Sequence, residues 1–300
     1  MKQKGTSIRY SKSDLIFLAV DWIVLVALSL VILYPLLFVI SASFSAGTST
    51  MSLSLWPRRF TLAGYQTVFA YKPIWTGYGN SIFYMAAGTL ISLAVTICCA
   101  YPLSRKDFKG GKFIMVLCMI TMYFGGGLIP TFLQVRDLGL LGSRLAVILP
   151  GAMSVYNMIV MRTYFKTQVP DEIFESAQMD GCGNIRYLFN ILLPLSVPII
   201  AVIGLFYAVG AWNSYFDAMI YLSSAKDKYP LALVLRDILI LNQRDIEQGA
   251  TDLTYALQME EKRNVMRYAV LVVSSVPVML IYPFVQKYFV KGIMIGSVKG

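Results

Sequence analysis

Six stretches of this sequence, near residues 22–44, 80–104, 113–135, 144–163, 197–222 and 266–290, are apolar for long enough to cross a bilayer as helices. A helix needs about 20 residues to span roughly 30 Å of hydrocarbon. The chain has 300 residues, room for one or two soluble domains or one polytopic membrane domain. Composition decides between them. Apolar residues make up 57% of the chain and charged residues only 14%, with a mean hydropathy of +0.64. So few charges could not cover a soluble surface of this size, where about a quarter of residues are usually charged. Lipid is therefore the solvent for much of the chain, and the expected fold is all-α, with six transmembrane helices.

The residue types also exclude chemistry. Histidine is absent, which removes Ser-His triads, HExxH zinc sites and histidine proton relays. Cys98, Cys99, Cys118 and Cys182 form no CxxC pair, so neither zinc nor a disulfide framework is indicated. The net charge of +10 is spread in short runs between the apolar stretches rather than gathered in one patch. That is the pattern of membrane-flanking charge, not of a nucleic-acid binder. No GxxxxGK[ST] loop occurs, so the chain is not expected to hydrolyse ATP, bind a cofactor or hold a metal. Most designs of a membrane-embedded hydrolase are thereby excluded.

Charge in the short loops sets the orientation. Lys2, Lys4, Arg9 and Lys12 precede the first span, and Arg105, Lys106, Lys109 and Lys112 crowd the second connection. The first connection, 35 residues long, holds only Arg58, Arg59 and Lys72. This places both termini and the second connection in the cytoplasm. Residues 1–21 form a cytoplasmic segment, with an interfacial helix expected over 8–21 and capped by Ser11 or Ser13. Residues 22–290 form the membrane domain and 291–300 a cytoplasmic tail. Ser-Ala-Ser at 41–43 follows an apolar run far longer than the ~7–15 residues of a signal peptide, so the first span is retained. Residues 223–265 read as an external segment of mixed charge, with helices expected at 230–241 and 253–267.

Residues 164–196 lie between the fourth and fifth spans, on the expected cytoplasmic side. They read as helix, turn, helix. Pro170 suits a first helical position, with Asp171 and Glu172 complementing the helix N-terminus. Gly181 and Gly183 break the helix, Asn184 is the expected cap of the next one, and Pro194 ends it. Ile173, Phe174, Ala177, Ile185, Leu188, Phe189 and Leu192 make an apolar stripe at helical spacing.

In this loop Glu175-Ser176-Ala177 is followed by Asp180-Gly181, then Ile191, then Leu193-Pro194. The spacing resembles the E-A-A…G…I-x-L-P loop of binding-protein-dependent ABC importer permeases, of the carbohydrate (maltose-type) group. Ser176 in place of the first Ala is the one departure, small for small. YPLALVLRDILI in the external segment and the tail FVQKYFVKGIMIGSVKG resemble the polysaccharide and complex-oligosaccharide branch. The resemblance implies a type I importer permease fold in the bacterial cytoplasmic membrane. It implies that this loop sits in a cleft on a cytoplasmic ATPase subunit. It further implies two ATPase subunits carrying ATP and Mg, a second homologous permease, and an extracytoplasmic sugar-binding protein.

Candidates for the sugar path are Trp212, Asn213, Tyr215 and Asp217 in the fifth span and Tyr156 and Asn157 in the fourth. Aromatic faces stack on sugar CH groups, and polar side chains meet hydroxyls. Asn213 and Asp217 are four residues apart and are expected on one helix face. The alternative reading is an interfacial belt or packing between helices for Trp212 and the tyrosines, and tight helix packing for Tyr156 and Asn157. Gly125-Gly126-Gly127 and Pro130 are expected to bend the third span or allow close packing. A secondary transporter or channel for a small polar solute is the rival function. It would need a coupling-ion or selectivity site built from buried acids or broken helices, and the near absence of ionisable residues in the spans argues against proton coupling.

Overall fold

The computed structural model describes residues 11–45, 56, 59–238, 266–277, 279–280, 283 and 286. Among these, regular structure is helical, apart from one isolated antiparallel bridge between Ser45 and Phe60. The helix expected at 253–267 lies almost wholly outside the described residues, as does the tail, whereas the last span is helical over 266–277 and at the later residues described. Of the helix expected at 230–241, residues 231–238 are described and are helical. The chain divides into two compact units: residues 1–68 with 246–273, and residues 69–245 with 274–300.

The first unit is built on α1, Lys12–Ser43. Ser11 caps it with a full capping box, its side chain reached by the backbone of the first turn while Asp14 accepts from the Ser11 N–H. No break separates the expected interfacial stretch from the span, so one helix starts at Lys12. Its apolar residues surround it, and nearly every one is exposed. A helix apolar on all sides belongs in lipid or against another protein. At its far end Ser43 Oγ bonds Tyr65 of α2, Ala63–Ala70, and Phe44 stacks between Phe60 and Tyr65.

The second unit centres on α3, Lys72–Ser104, whose 33 residues run unbroken. It packs against α7, Val155–Gln168, and α11, Val197–Asn213. Ala100 and Leu103 of α3, Met158, Met161 and Phe165 of α7 and Ile203 of α11 form the shared core.

Three expected spans are not single helices. The third is α4, Gly111–Tyr123, and α5, Leu128–Asp137, bent by 111° at the glycine run. Gly127 has φ +86°, which residues with a Cβ rarely adopt. The fourth is a single turn, α6 at Leu145–Ile148, then an irregular stretch, then α7. Leu149 keeps helical backbone angles, the chain turns at Pro150 and Gly151, and Ser154 restarts the helix as a cap. The fifth stops at Asn213, turns at an extended Ser214 (ψ 127°) and resumes as α12, Phe216–Tyr221. Among the described residues, two helices are long and apolar enough to cross a membrane, and up to four if each bent pair is one span.

Candidate functional site

The loop between α7 and α11 folds as α8, Asp171–Met179, a tight turn, and α9, Asn184–Tyr187. Pro170 stands at the cap of α8, one position before the expected one, and Asp171 and Glu172 occupy the first turn. Gly181 has φ +74°. Its N–H reaches Gln178 O at 3.0 Å, and the next N–H, of Cys182, reaches Ala177 O at 2.8 Å. This paired closure is the Schellman motif, which requires a left-handed residue at the position of Gly181. Gly181→Val is expected to cost about 1–2 kcal/mol locally and to lower uptake without changing membrane insertion. Uptake in vesicles compared with protein content in the membrane fraction checks it.

Asn184, the expected cap, is instead the first residue of α9, and Gly183 precedes it in extended conformation. Nor does Pro194 end the second helix. α9 widens into a π-helical turn at Leu188–Leu192 and continues as α10, Leu193–Leu195, before the axis bends 83° into α11 at Ser196. The wider turn sits where Pro194 cannot donate the next helical hydrogen bond.

The single apolar stripe read from the sequence divides into two faces. Phe174, Ala177, Tyr187, Leu188 and Leu192 turn inward and join the core of α3, α7 and α11. Met179, Ile185 and Phe189 turn outward and are 89%, 76% and 62% exposed. Ile191 and Leu193 are half-buried beside the inner face, while Glu175, Ser176, Asp180, Gly181 and Pro194 are exposed. A shallow, open hollow runs beside Ile185 and Phe189, with Asn184, Arg186 and Asn190 along it.

The loop is also clasped from the end of α3. The Arg105 guanidinium lies 3.1 Å over the centre of the Phe174 ring. Its Nε is 3.3 Å from Asp107, an ionic contact without hydrogen-bond geometry. Tyr101 OH donates toward Asn184, and Phe174 meets Tyr187 edge-on with centroids 4.9 Å apart. Lys106 Nζ is 2.5 Å from Asp171. That hydrogen bond holds the Asp171 carboxyl below its ordinary value and lifts the Lys106 ammonium above its own. Both shifts favour the charged forms. The lowered Asp171 contributes above the ordinary aspartate range and is lost as pH falls through its depressed value. The raised Lys106 contributes below the ordinary lysine range and is lost as pH rises through its elevated value. The pair is therefore intact between about pH 5 and pH 9. If the loop couples ATP hydrolysis to uptake, as its resemblance implies, that coupling is expected to be flat across that window, and a pH series of both rates checks it.

The candidate path residues do not converge. Trp212 is buried, with Tyr78 tilted against it at 6.0 Å, and opens with Asn213 onto a cavity of about 270 Å³ beside Leu231 and Ser275. Asp217 faces a different cavity of about 210 Å³. The break at Ser214 is the reason: four residues give a shared face only where the helix continues. Tyr215 lies under Arg236 at 5.9 Å, Tyr156 is exposed, and Asn157 is buried at the first turn of α7. The Asp217 cavity is lined by Ser92, Ser214, Tyr84 and Tyr207 and by Gly88, Gly151 and Gly210. Tyr207 OH bonds Thr96 at 2.7 Å and accepts from Ser154 N–H at 3.1 Å.

A family described as the binding-protein-dependent transport system inner membrane component matches residues 73–295. The chain belongs to that family. The permease is 41% identical over 268 residues to protein LplC of Bacillus subtilis (strain 168), covering 89% of each chain. It is 39% identical over 281 residues to the polygalacturonan/rhamnogalacturonan transport system permease protein YtcP of the same organism, covering 92% of the permease and 96% of YtcP. A chain in the crystal structure of a bacterial ABC transporter involved in the import of the acidic polysaccharide alginate superposes with a TM-score of 0.81 at 33% identity. That match covers 94% of the permease and 100% of the other chain. The permease thus has the fold of that transporter's chain. Nothing in the matches supports the channel or secondary-transporter reading.

Sequence reasoning passed over Tyr101, Arg105 and Lys106 as sites. The two cations were read only as membrane-flanking charge. Asn80, Ser81 and Tyr84 went unread as well, although buried polar residues at helical spacing in an apolar helix are a legible signal.

Proposed function

We propose that the permease is one of two homologous membrane subunits of an ATP-driven importer that moves an oligosaccharide across the bacterial cytoplasmic membrane by alternating access. A pair of ATPase subunits carrying ATP and Mg drives it, and an extracytoplasmic binding protein delivers the sugar. Both termini and residues 164–196 lie in the cytoplasm. The observation that carries the reading is the two-faced loop: its inner face is continuous with the helical core, and its outer face presents Met179, Ile185 and Phe189 to a partner. Glu175, Ser176, Ala177, Asp180, Gly181, Ile191, Leu193 and Pro194 serve coupling. Ala177, Ile191 and Leu193 hold the inner face, and the exposed members border the socket. A rigid helical knob of this kind moves as a body when its socket moves.

The oligosaccharide class is supported by relatives such as YtcP, a polygalacturonan/rhamnogalacturonan transport system permease protein. Within this subunit Asp217 is the path residue with the best setting. Its carboxylate and the hydroxyls of Ser92 and Ser214 face one cavity, the chemistry that holds sugar hydroxyls. Trp212, Asn213, Tyr215, Tyr156 and Asn157 stand around the path rather than in that cavity. Asp217→Asn is expected to lower uptake about tenfold or more, the worth of a hydrogen bond to a charged acceptor, with ATPase association unchanged. The reading itself is tested with the reconstituted importer and binding protein loaded from a panel of neutral and uronate oligosaccharides. Stimulated ATP hydrolysis by one class is expected. No stimulation by any of them would sink the importer.

A further inference from the structure

α3 grips something at both ends. Near its beginning, Gly77, Asn80, Ser81 and Tyr84 fall on one helical face. Asn80 Nδ2 donates to Asp227 O at 2.8 Å and to Tyr229 O at 3.1 Å. Its Oδ1 accepts from Arg144 at 3.0 Å. Tyr84 OH donates to Lys228 O at 2.8 Å, and Ser81 Oγ accepts the Leu231 N–H at 2.8 Å. A Cβ on Gly77 would stand 3.1 Å from Leu231 Cα, so the glycine permits the close approach. Four backbone groups of the segment 227–231 are thus answered by side chains of α3. At the other end Tyr101, Arg105 and Lys106 hold the helix-turn-helix at Asn184, Phe174 and Asp171.

The other described helices of this unit offer no unbroken line between those two places. The route through the loop's own continuation has a π-helical turn, an 83° bend at Ser196 and a stop at Ser214. The route through α4 and α5 bends by 111°. α3 has 33 residues, a rod of about 50 Å at 1.5 Å per residue.

We propose that α3 is the strut that carries the coupling loop's movement to the segment 226–231. Tyr101, Arg105 and Lys106 are the positioning residues at one end, and Asn80, Ser81 and Tyr84 those at the other. The strut rests on the coupling-loop reading and adds to it a route. Loop, helix and outer segment move as one body, so closure of the ATPase subunits is felt at the outer end without delay through a hinge. Segment 226–231 lies near the start of the stretch 223–265 that is expected outside the membrane.

The test uses the whole importer in lipid nanodiscs, with Cys98, Cys99, Cys118 and Cys182 replaced by serine. Spin labels are placed at Glu172→Cys and Lys226→Cys, both exposed positions, and the distance is read without nucleotide and with ATP. A strut keeps that distance constant within about 2 Å, below the one-turn shift of about 5 Å by which one helix ratchets past another. Arg105→Ala should broaden the distance distribution and cut binding-protein-stimulated hydrolysis about fivefold, within the range of coupling residues, with the ATPase subunits still bound. Lys106→Glu should weaken stimulation, and adding Asp171→Lys should restore it, a rescue that general destabilisation would not produce. A distance that shifts by several ångströms on ATP binding while stimulation is normal overturns the strut alone. Failure of the charge swap to restore stimulation also counts against it. Absence of any stimulation in the unmodified importer overturns both the strut and the importer reading.

Discussion

Replacing Ala177 with arginine is expected to reduce sugar uptake by the assembled importer to background. Ala177 is 7% exposed and sits in the core that joins the loop to α3, α7 and α11. Its carbonyl also closes the turn at Gly181. An arginine there either leaves a charge unpaired in a buried site, at about 3–5 kcal/mol, or escapes by levering α8 off the core. Both outcomes detach the inner face. At 1.4 kcal/mol per tenfold, the docked loop falls in population by about a hundredfold or more. ATP hydrolysis continues, because the outer face is untouched, but no longer moves the spans. Parallel measurement of hydrolysis and labelled-sugar uptake in proteoliposomes checks this. Ala177→Gly should be mild, at about 1 kcal/mol of helix propensity.

The largest effect on stability is expected from Asn80→Ala. Asn80 is 3% exposed and makes three hydrogen bonds, one of them from the Arg144 guanidinium. Truncation leaves two carbonyls and a cation without that partner. Unsatisfied buried groups cost about 1–3 kcal/mol each, and charged ones more. Part of this is recovered by relaxation, since Arg144 also lies over Phe83 at 4.8 Å. A net loss of about 2–4 kcal/mol lowers the melting temperature by roughly 5–10 °C. A fluorescence-monitored thermal scan of the purified permease measures it. Asn80→Asp should also destabilise, since a carboxylate satisfies Arg144 but repels the carbonyls of Asp227 and Tyr229.

What could be read in advance was local. The Ser11 cap, the bend at Gly125–Gly127 and the left-handed Gly181 follow from residue type and near neighbours. The limits of the helix-turn-helix were legible only in outline, since Asn184 begins α9 instead of capping it and the helix runs past Pro194. The division of the loop's apolar stripe was not legible, because Phe174 and Phe189 are equivalent by hydropathy. Only packing against α3, α7 and α11 sends one inward and leaves the other exposed. The separation of Asn213 from Asp217 turned on the backbone of one residue, Ser214, which has no proline or glycine to announce the break. The latch between Asn80 and Asp227 joins positions 147 apart in sequence. Spacing along the chain carries no information at that range. Arg105 was visible as a charge, while its place over Phe174 depends on the loop returning to the end of α3.

In the proposed function the outer face of the loop is where the ATPase subunit holds this permease. Ile185→Glu with Phe189→Glu places two charges on that face, at residues that are 76% and 62% exposed and so add no buried charge to the permease. Co-purification of the ATPase subunits with the tagged permease then reads the central claim directly. The expected result is loss of the ATPase subunits from an otherwise stable, membrane-inserted protein, with uptake abolished. Retention of the ATPase subunits with uptake unchanged would contradict it.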